Sequence, residues 1–283
     1  MLQRNLQNLS LLVAVFTCFL HLNASAQNPD SLAIAQAKWN SKEIKKGITW
    51  HQGHFSNLFN AQQEINWIEI DLKKHAKKVH FAADPKILKK TSVFAEENGA
   101  LAAINAGFFD MKNGGAVDYI RVNHQIVNLG GKIAGRATAV LTLDGKKVQI
   151  ASAMDIDPVT SKAANVMVAG PLLIQDQQII PLGNNPFNTN RHPRTAVAIT
   201  QKNKLILLVV DGRSNQSYGM SLPELASVMD WLGAKDAMNL DGGGSTTMYV
   251  KGATPNHIVN YPSDNKKFDH EGQRSVANII YIK

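Results

Sequence analysis

Cysteine is all but absent: Cys18 is the only one in 283 residues. A lone cysteine excludes an intrachain disulfide and any multi-cysteine metal site. It also sits in a stretch built like a leader, "MLQRNLQNLSLLVAVFTCFLHLNASAQ". Arg4 gives that stretch a basic start, residues 9–20 an apolar run, and Ala24-Ser25-Ala26 the small-x-small pattern of a signal-peptidase site. Cleavage before Gln27 is expected. Residues 1–26 then read as a signal peptide, and the mature chain as secreted or periplasmic, without a thiol nucleophile. The apolar run is short for a membrane span and no second long one follows, so no transmembrane segment is expected after processing.

Charge is also sparse. Charged residues make up 18 % against 44 % apolar, which excludes a disordered chain. Acidic residues are outnumbered 22 to 30, for a formal charge of +8. The basic clusters "LKKHAKK" and "PKILKK" lack interleaved aromatics, so nucleic acid is not the expected partner. They read as solvated lysine faces or as attraction for an anionic substrate. No repeat, low-complexity tract or linker divides the chain, which is long enough for one large core.

Residues 27–60 read as a lead-in segment, opened by a helix over "SLAIAQAKWNSKEIKK", and residues 61–283 as the main domain. "INWIEIDL" alternates with a period of two, as a strand does. "KVHFAA" and "ALAAINAGFF" are short apolar runs, separated by a helix at "KTSVFAEENG" that Gly99 ends. "DYIRVNHQIVN" and "TAVLTLDGKKVQIAS" read as hairpin material, the second turning at Asp144-Gly145. His51 and His54 read as strand surface, because two histidines without a third ligand do not make a metal site. The expected class is α+β, a single mixed-sheet domain.

The C-terminal half is more specific. "KLILLVV" runs into Asp211-Gly212-Arg213. A helix follows at "SLPELASVMDWLG", with Ser221 and Glu224 as a capping box and Gly233 as the stop. "DAMNL" then runs into Asp241. Strand–helix–strand units usually join parallel strands, so Asp211 and Asp241 are expected at carboxyl ends on one sheet edge, where ligands of open α/β sheets gather. After Asp241 come three glycines and three hydroxyls, "GGGSTT". Such glycines free backbone N–H groups to form a concave anion site.

Known fingerprints are missing from that bend. No lysine precedes Ser245, the glycines are not spaced as in a dinucleotide turn, and Ser245 is not in G-x-S-x-G. A serine nucleophile at Ser245, with His192 as base, remains a rival. "NRHPRTAV" brings Arg191, His192 and Arg194 to the start of a strand, a set suited to an oxyanion. Asn105 in "INAGFFD" is either a packed strand end or an amide for a sugar hydroxyl.

Together "INAGFFD", "RHPRTAVAIT", "LLVVDGRS", "GMSLPELASVMDWLGAKDAMNLDGGGSTTM" and "QRSVANIIYI" resemble the phosphodiester glycosidase family. The resemblance runs from about Ile65 to the C-terminus. It implies hydrolysis of a sugar-1-phosphodiester to free sugar and a phosphate monoester, with a sugar phosphate or other anionic glycan as partner. It places Asp211, Asp241, His192 and Arg194 in the catalytic set. Asn105, Arg213, Gly243, Gly244, Ser245, Thr246 and Arg274 fall in the substrate-binding set. No cofactor is implied. A divalent cation such as calcium stays open for the Asp-rich loops, though no full ligand loop is present. The alternative is a secreted binder of anionic glycans without turnover.

Overall fold

The computed structural model describes residues 28–131 and 135–283; the signal-peptide reading lies outside the described residues. Its central element is an eight-stranded sheet. In spatial order the strands are Asn40–Lys45, Ile48–Leu58, Ala61–Asp71, Lys204–Val210, Arg194–Thr200, Ala234–Asn239, Leu172–Gln175 and Gln178–Ile179. The apolar alternation of the third strand splits its side chains between two faces. Ile65 and Trp67 join one core, and Ile68 and Ile70 the other. The strands Lys204–Val210 and Arg194–Thr200 are buried along almost their whole length, as their unbroken apolar runs require.

One face of this sheet is covered by the helices Pro29–Ala35 and Leu222–Trp231. The second forms as its sequence signals. Ser221 and Glu224 close a reciprocal capping box, and Leu222, Leu225, Ala226, Val228 and Met229 turn inward. The other face packs Ile68, Val197, Leu207, Val209 and Met238 against Phe81, Ile104, Leu141, Met167 and Ile280. Those partners come from a four-stranded sheet (Met248–Val250, Ala102–Asn105, Asn278–Ile282, Val79–Ala83) and a five-stranded one (Lys147–Ser152, Ala139–Asp144, Asn165–Ala169, Ile120–Val122, Gln125–Asn128). Leu207 is fully buried in this seam, so Leu207→Ala should cost about 2–5 kcal/mol. The helix Thr91–Glu97 covers the outer side of the four-stranded sheet.

The α+β single domain agrees with the sequence, but two expectations change. The strands joined by the helix Leu222–Trp231 do run the same way, yet they are not neighbours. Arg194–Thr200 lies between them and pairs antiparallel with both. Every ladder among the described residues is in fact antiparallel. The cause is the hairpin closed by the polar turn at 201–203, which places Arg194–Thr200 in the position a parallel partner would need. Second, the lead-in helix stops at Ala35, and Asn40–Lys45 is a strand paired with Ile48–Leu58. Residues 40–60 therefore belong to the main sheet rather than to a separate segment. Gly47, at φ +86, makes the turn between those two strands, a conformation that only glycine adopts freely.

The layout fixes where chemistry gathers. Ala234–Asn239 belongs to the large sheet, and Met248–Val250 to the four-stranded one. The DGGGST bend between them is thus the crossing from one layer to the other. Asp241 N–H donates to the Ala106 carbonyl at 2.8 Å, and Leu240 N–H to the Thr195 carbonyl at 2.8 Å.

Candidate active site

Asn105 anchors the bend. Its side-chain nitrogen donates to the Asp241 carbonyl at 2.6 Å. Its oxygen accepts from the Thr195 hydroxyl at 2.8 Å and from Thr247 N–H at 3.1 Å. The residue is fully buried. Asn105 is therefore a staple between the layers and not an amide facing a sugar, a correction that follows from its occupied polar atoms. The Thr246 hydroxyl lies beside that of Thr195 at 3.5 Å, equally buried.

The glycines are needed for close approach. A Cβ on Gly242 would stand 2.6 Å from the Pro193 carbonyl oxygen. On Gly243, whose φ is +63, it would stand 2.9 Å from the Arg213 guanidinium. On Gly244 it would stand 2.5 Å from both the Arg274 guanidinium and an Asp264 carboxylate oxygen. Two arginines thus lie directly on the bare backbone. Arg274 is paired with Asp264, with Nε to Oδ1 at 2.9 Å. Arg213 forms no ion pair among the described residues and sits at φ +62, an unusual conformation for a residue with a side chain. Ser245 is fully buried, and its hydroxyl faces the Asp241 carboxyl without completing a hydrogen bond of normal geometry among the described residues.

Asp241 is half-buried. Burial pushes its carboxyl up to about 6, and the facing Ser245 hydroxyl, the Arg274 charge, Gly242 N–H and the Arg136 charge oppose the shift. Asp211 is far more enclosed, at 1 % exposure. Its Oδ1 accepts from Asn260 Nδ2 at 2.8 Å and Tyr261 N–H at 3.0 Å, while Oδ2 has no partner. Burial pushes this carboxyl up to about 7; the two bonds pull it down and the charge of Glu64 raises it further. Asp211 is thus closed off from solvent, whereas Asp241 keeps a partly exposed side. Asn260 ties Asp211 to the bend that follows Asp241, because the same Nδ2 that holds Asp211 donates to the Thr246 carbonyl at 3.1 Å.

Arg194 also has a different place from the one expected. It is 2 % exposed, with Nε donating to the Met220 carbonyl at 2.8 Å. Its Nη2 donates to the carbonyls of Phe187 at 2.8 Å and Asn190 at 2.9 Å. Strand alternation puts it on the same face as Ala196 and Ala198, toward the helices and away from the bend. Burial lowers its pKa to about 10, against the charge of Glu224. His192 precedes Pro193, whose carbonyl accepts from Gly243 N–H in the bend at 2.8 Å. Burial, then the charges of Arg194 and Arg213, hold its pKa below the ordinary value, which favours the neutral ring. No hydrogen bond joins His192 to Ser245 among the described residues, so a serine–histidine pair is not formed.

Four residues near the site carry no sequence motif. Asn260 and Tyr261 are held to Asp211 as above, and Asn260 Oδ1 accepts from Met248 N–H at 2.8 Å. The run "HIVN" ending at Asn260 repeats the pattern of "AAIN" ending at Asn105, an amide closing an apolar run, and that was the available signal. Glu64 and His54 come from the neighbouring strands. His54 pairs with Glu64 in register, Nδ1 to Oε1 at 2.8 Å. Among the described residues no group of three His, Cys, Asp or Glu side chains comes together to hold a metal ion, and no helix is long and apolar enough to cross a membrane.

The family model for phosphodiester glycosidase matches residues 98–283. The chain belongs to the phosphodiester glycosidase family. The matched span takes in Asn105, His192, Asp211, the DGGGST bend, Asn260 and Arg274, whereas His54 and Glu64 precede it. This family member is similar to N-acetylglucosamine-1-phosphodiester alpha-N-acetylglucosaminidase of Mus musculus, at 28 % identity over 181 residues, 59 % of this chain and 34 % of that protein. The Homo sapiens protein of the same description is 38 % identical over 71 residues, 25 % of this chain and 13 % of that protein. The chain spans about a third or less of the length of these curated relatives. Among solved structures, the zebrafish catalytic domain of that description, auto-inhibited by its pro-peptide, aligns with a TM-score of 0.65 at 20 % identity, covering 83 % of this chain and 82 % of that one. A hypothetical protein from Synechocystis aligns with a TM-score of 0.61 at 16 % identity, covering 87 % and 64 %. At such identities these two likenesses bear on the fold alone.

Proposed function

We propose that the protein hydrolyses the glycosidic bond of a sugar-1-phosphodiester, releasing free sugar and a phosphate monoester, with N-acetylglucosamine the first sugar to test. The observation that carries the reading is the pair of guanidinium groups, Arg213 and Arg274, lying on bare glycine backbone next to a half-buried carboxylate, Asp241. A phosphate ester leaves more readily than a sugar alkoxide, so the site's main task is to hold negative charge as the bond breaks. Arg213 and Arg274 suit that task, since guanidinium groups match phosphate oxygens in pairs. Asp241 then acts at the anomeric carbon, as nucleophile or as base for water. A neutral His192 donates to, or orients, a phosphate oxygen.

Asp211 receives a positioning role in this scheme. It is enclosed and tied through Asn260 to the Thr246 carbonyl. Arg194, occupied by three carbonyls, holds the strand start in place rather than the phosphate. Secretion or a periplasmic location fits the leader-like N-terminus and an envelope glycan as substrate. The rival reading, an anionic-glycan binder without turnover, shares the basic site and parts from this one on a single point. Incubation with a panel of sugar-1-phosphodiesters should liberate reducing sugar; tight binding with no sugar released would favour the binder.

A further inference from the structure

We propose that the pocket beside the glycine bend holds a second phosphate, so that the preferred leaving group is a phosphate ester carrying a further phosphate, as in a diphosphate-linked sugar. The proposal rests on the sugar-1-phosphodiester reading and narrows it. The pocket, about 510 Å³, lies between the loop 212–216, the loop 263–268 and Arg274. Its charges are Arg213, Arg274, Lys266 and Lys267 against Asp264. Four cations less one carboxylate leave three positive charges. One phosphodiester brings a single negative charge, so such a substrate leaves two of the three unmatched.

The cations fall into two groups. Arg213 and Arg274 lie on Gly243 and Gly244, where the reacting phosphate is proposed to sit. Lys266 and Lys267 are on the opposite loop, are not among the atoms nearest Gly243 and Gly244, and form no ion pair among the described residues. Asp264, the pocket's one carboxylate, is already bound by Arg274.

The lysine loop is held in place by its own bonds. Asp264 N–H donates to the Gly272 carbonyl at 3.2 Å, Lys266 N–H to the Ser263 carbonyl at 3.1 Å, and Lys267 N–H to Asn265 Oδ1 at 3.0 Å. Asn265 Nδ2 in turn donates to Asp269 at 2.8 Å. Lys266 adopts φ +59, the same left-handed region as Arg213 across the pocket. Uncommon conformations of this kind persist where surrounding contacts enforce them, and they gather at ligand sites. Lys267 lies near enough to Asp269 for its charge to help hold that carboxyl low, but neither lysine is closed into an ion pair among the described residues, and adjacent cations left so raise the local concentration of an anionic substrate and hold it by charge-assisted hydrogen bonds.

The test compares two substrates of the same sugar, the methyl ester of N-acetylglucosamine 1-phosphate and UDP-N-acetylglucosamine, with the full chain and its Lys266→Gln/Lys267→Gln variant. The proposal predicts that the variant loses about tenfold in kcat/KM on the diphosphate and stays within about twofold on the methyl ester. An equal loss on both, or no loss on the diphosphate, overturns it. If the native chain cleaves neither, the hydrolytic reading fails while the pocket is still tested by calorimetry with inorganic pyrophosphate and inorganic phosphate. A pyrophosphate preference that the variant abolishes supports the second-phosphate site, and a preference that the variant retains, or no preference at all, overturns it.

Discussion

Asp211 and Glu64 stand directly opposite one another on adjacent antiparallel strands. Val210 pairs with Ile65, and the ladder continues as Asp211 N–H donates to the Glu64 carbonyl at 3.0 Å. Opposed residues point to the same face with Cβ atoms about 5 Å apart. Two carboxylates so placed repel, and both are raised, Asp211 mainly by burial and then by Glu64, Glu64 by burial against the pull of His54. The fold thus keeps beneath its candidate site a carboxyl, Asp211, that is divided between its protonated and ionised forms at neutral pH.

That arrangement sets a pH dependence. The Asp211 carboxyl ordinarily titrates near 4 and is pushed up to about 7 in the fold. Between those values the folded chain holds a proton that the unfolded chain has released. The stability this group contributes should therefore fall as pH rises from about 4 to about 7, with no further loss from it above that. Asp241 adds the same trend up to about 6. Urea midpoints at pH 5 and pH 8 check it. His51, His80 and His192, held below their ordinary values mainly by burial, push the other way over this window, so the test is the change made by the variant: Asp211→Asn should lose stability at pH 5 relative to pH 8 when compared with the native chain, and an unchanged difference contradicts the assignment.

Asn260→Ala removes the bond that joins Asp211 to the bend and leaves Met248 N–H and the Thr246 carbonyl short of a partner. The buried amide makes a loss of about 2–4 kcal/mol the expected size. Chemical unfolding measures it. A loss below about 0.5 kcal/mol, the range of an ordinary surface change, contradicts the role given to Asn260.

Arg194 and Arg213 should separate stability from activity. Arg194→Ala strips three backbone carbonyls of their donor in a buried place and should lower the unfolding midpoint markedly. Arg213→Gln should leave the midpoint almost unchanged, because the side chain is exposed and unpaired, while reducing turnover at least tenfold, the usual scale for a charge that holds a developing anion. Thermal melts and sugar-release rates on both variants decide this. The reverse pattern would return Arg194 to the phosphate.

Some of this was readable in the sequence and some was not. The DGGGST bend, the capping box at Ser221 and the co-directional strand ends are local patterns, so a linear reading finds them. The face of Arg194 was not readable, because Thr195–Thr200 is buried on both sides and its apolar run carries no alternation to mark inside from outside. Asn105 reads the same way as a staple or a ligand until its three partners, at 195, 241 and 247, are known. Glu64 and His54 owe their position to a strand pairing across nearly 150 residues of chain, which no motif announces. The antiparallel insertion of Arg194–Thr200 was equally hidden, since a strand–helix–strand unit looks alike whether or not a third strand separates its ends.

Gly244→Ala tests the bend without touching a polar side chain. The added methyl would stand 2.5 Å from both Arg274 and Asp264 and must push that pair aside. Turnover should fall at least tenfold while the unfolding midpoint moves by no more than a few degrees, since the displaced groups are near the surface. Full activity in this variant contradicts the claim that the arginine lies where the phosphate is held.

The most direct measurement is release of reducing sugar from a panel of sugar-1-phosphodiesters by the native chain and by Asp241→Asn, each shown to be folded. The account predicts release by the native chain, with a limb in kcat/KM that falls as pH drops through about 6, and at least a tenfold lower turnover in the variant. No release from any member of the panel, or equal rates for the two proteins, contradicts it.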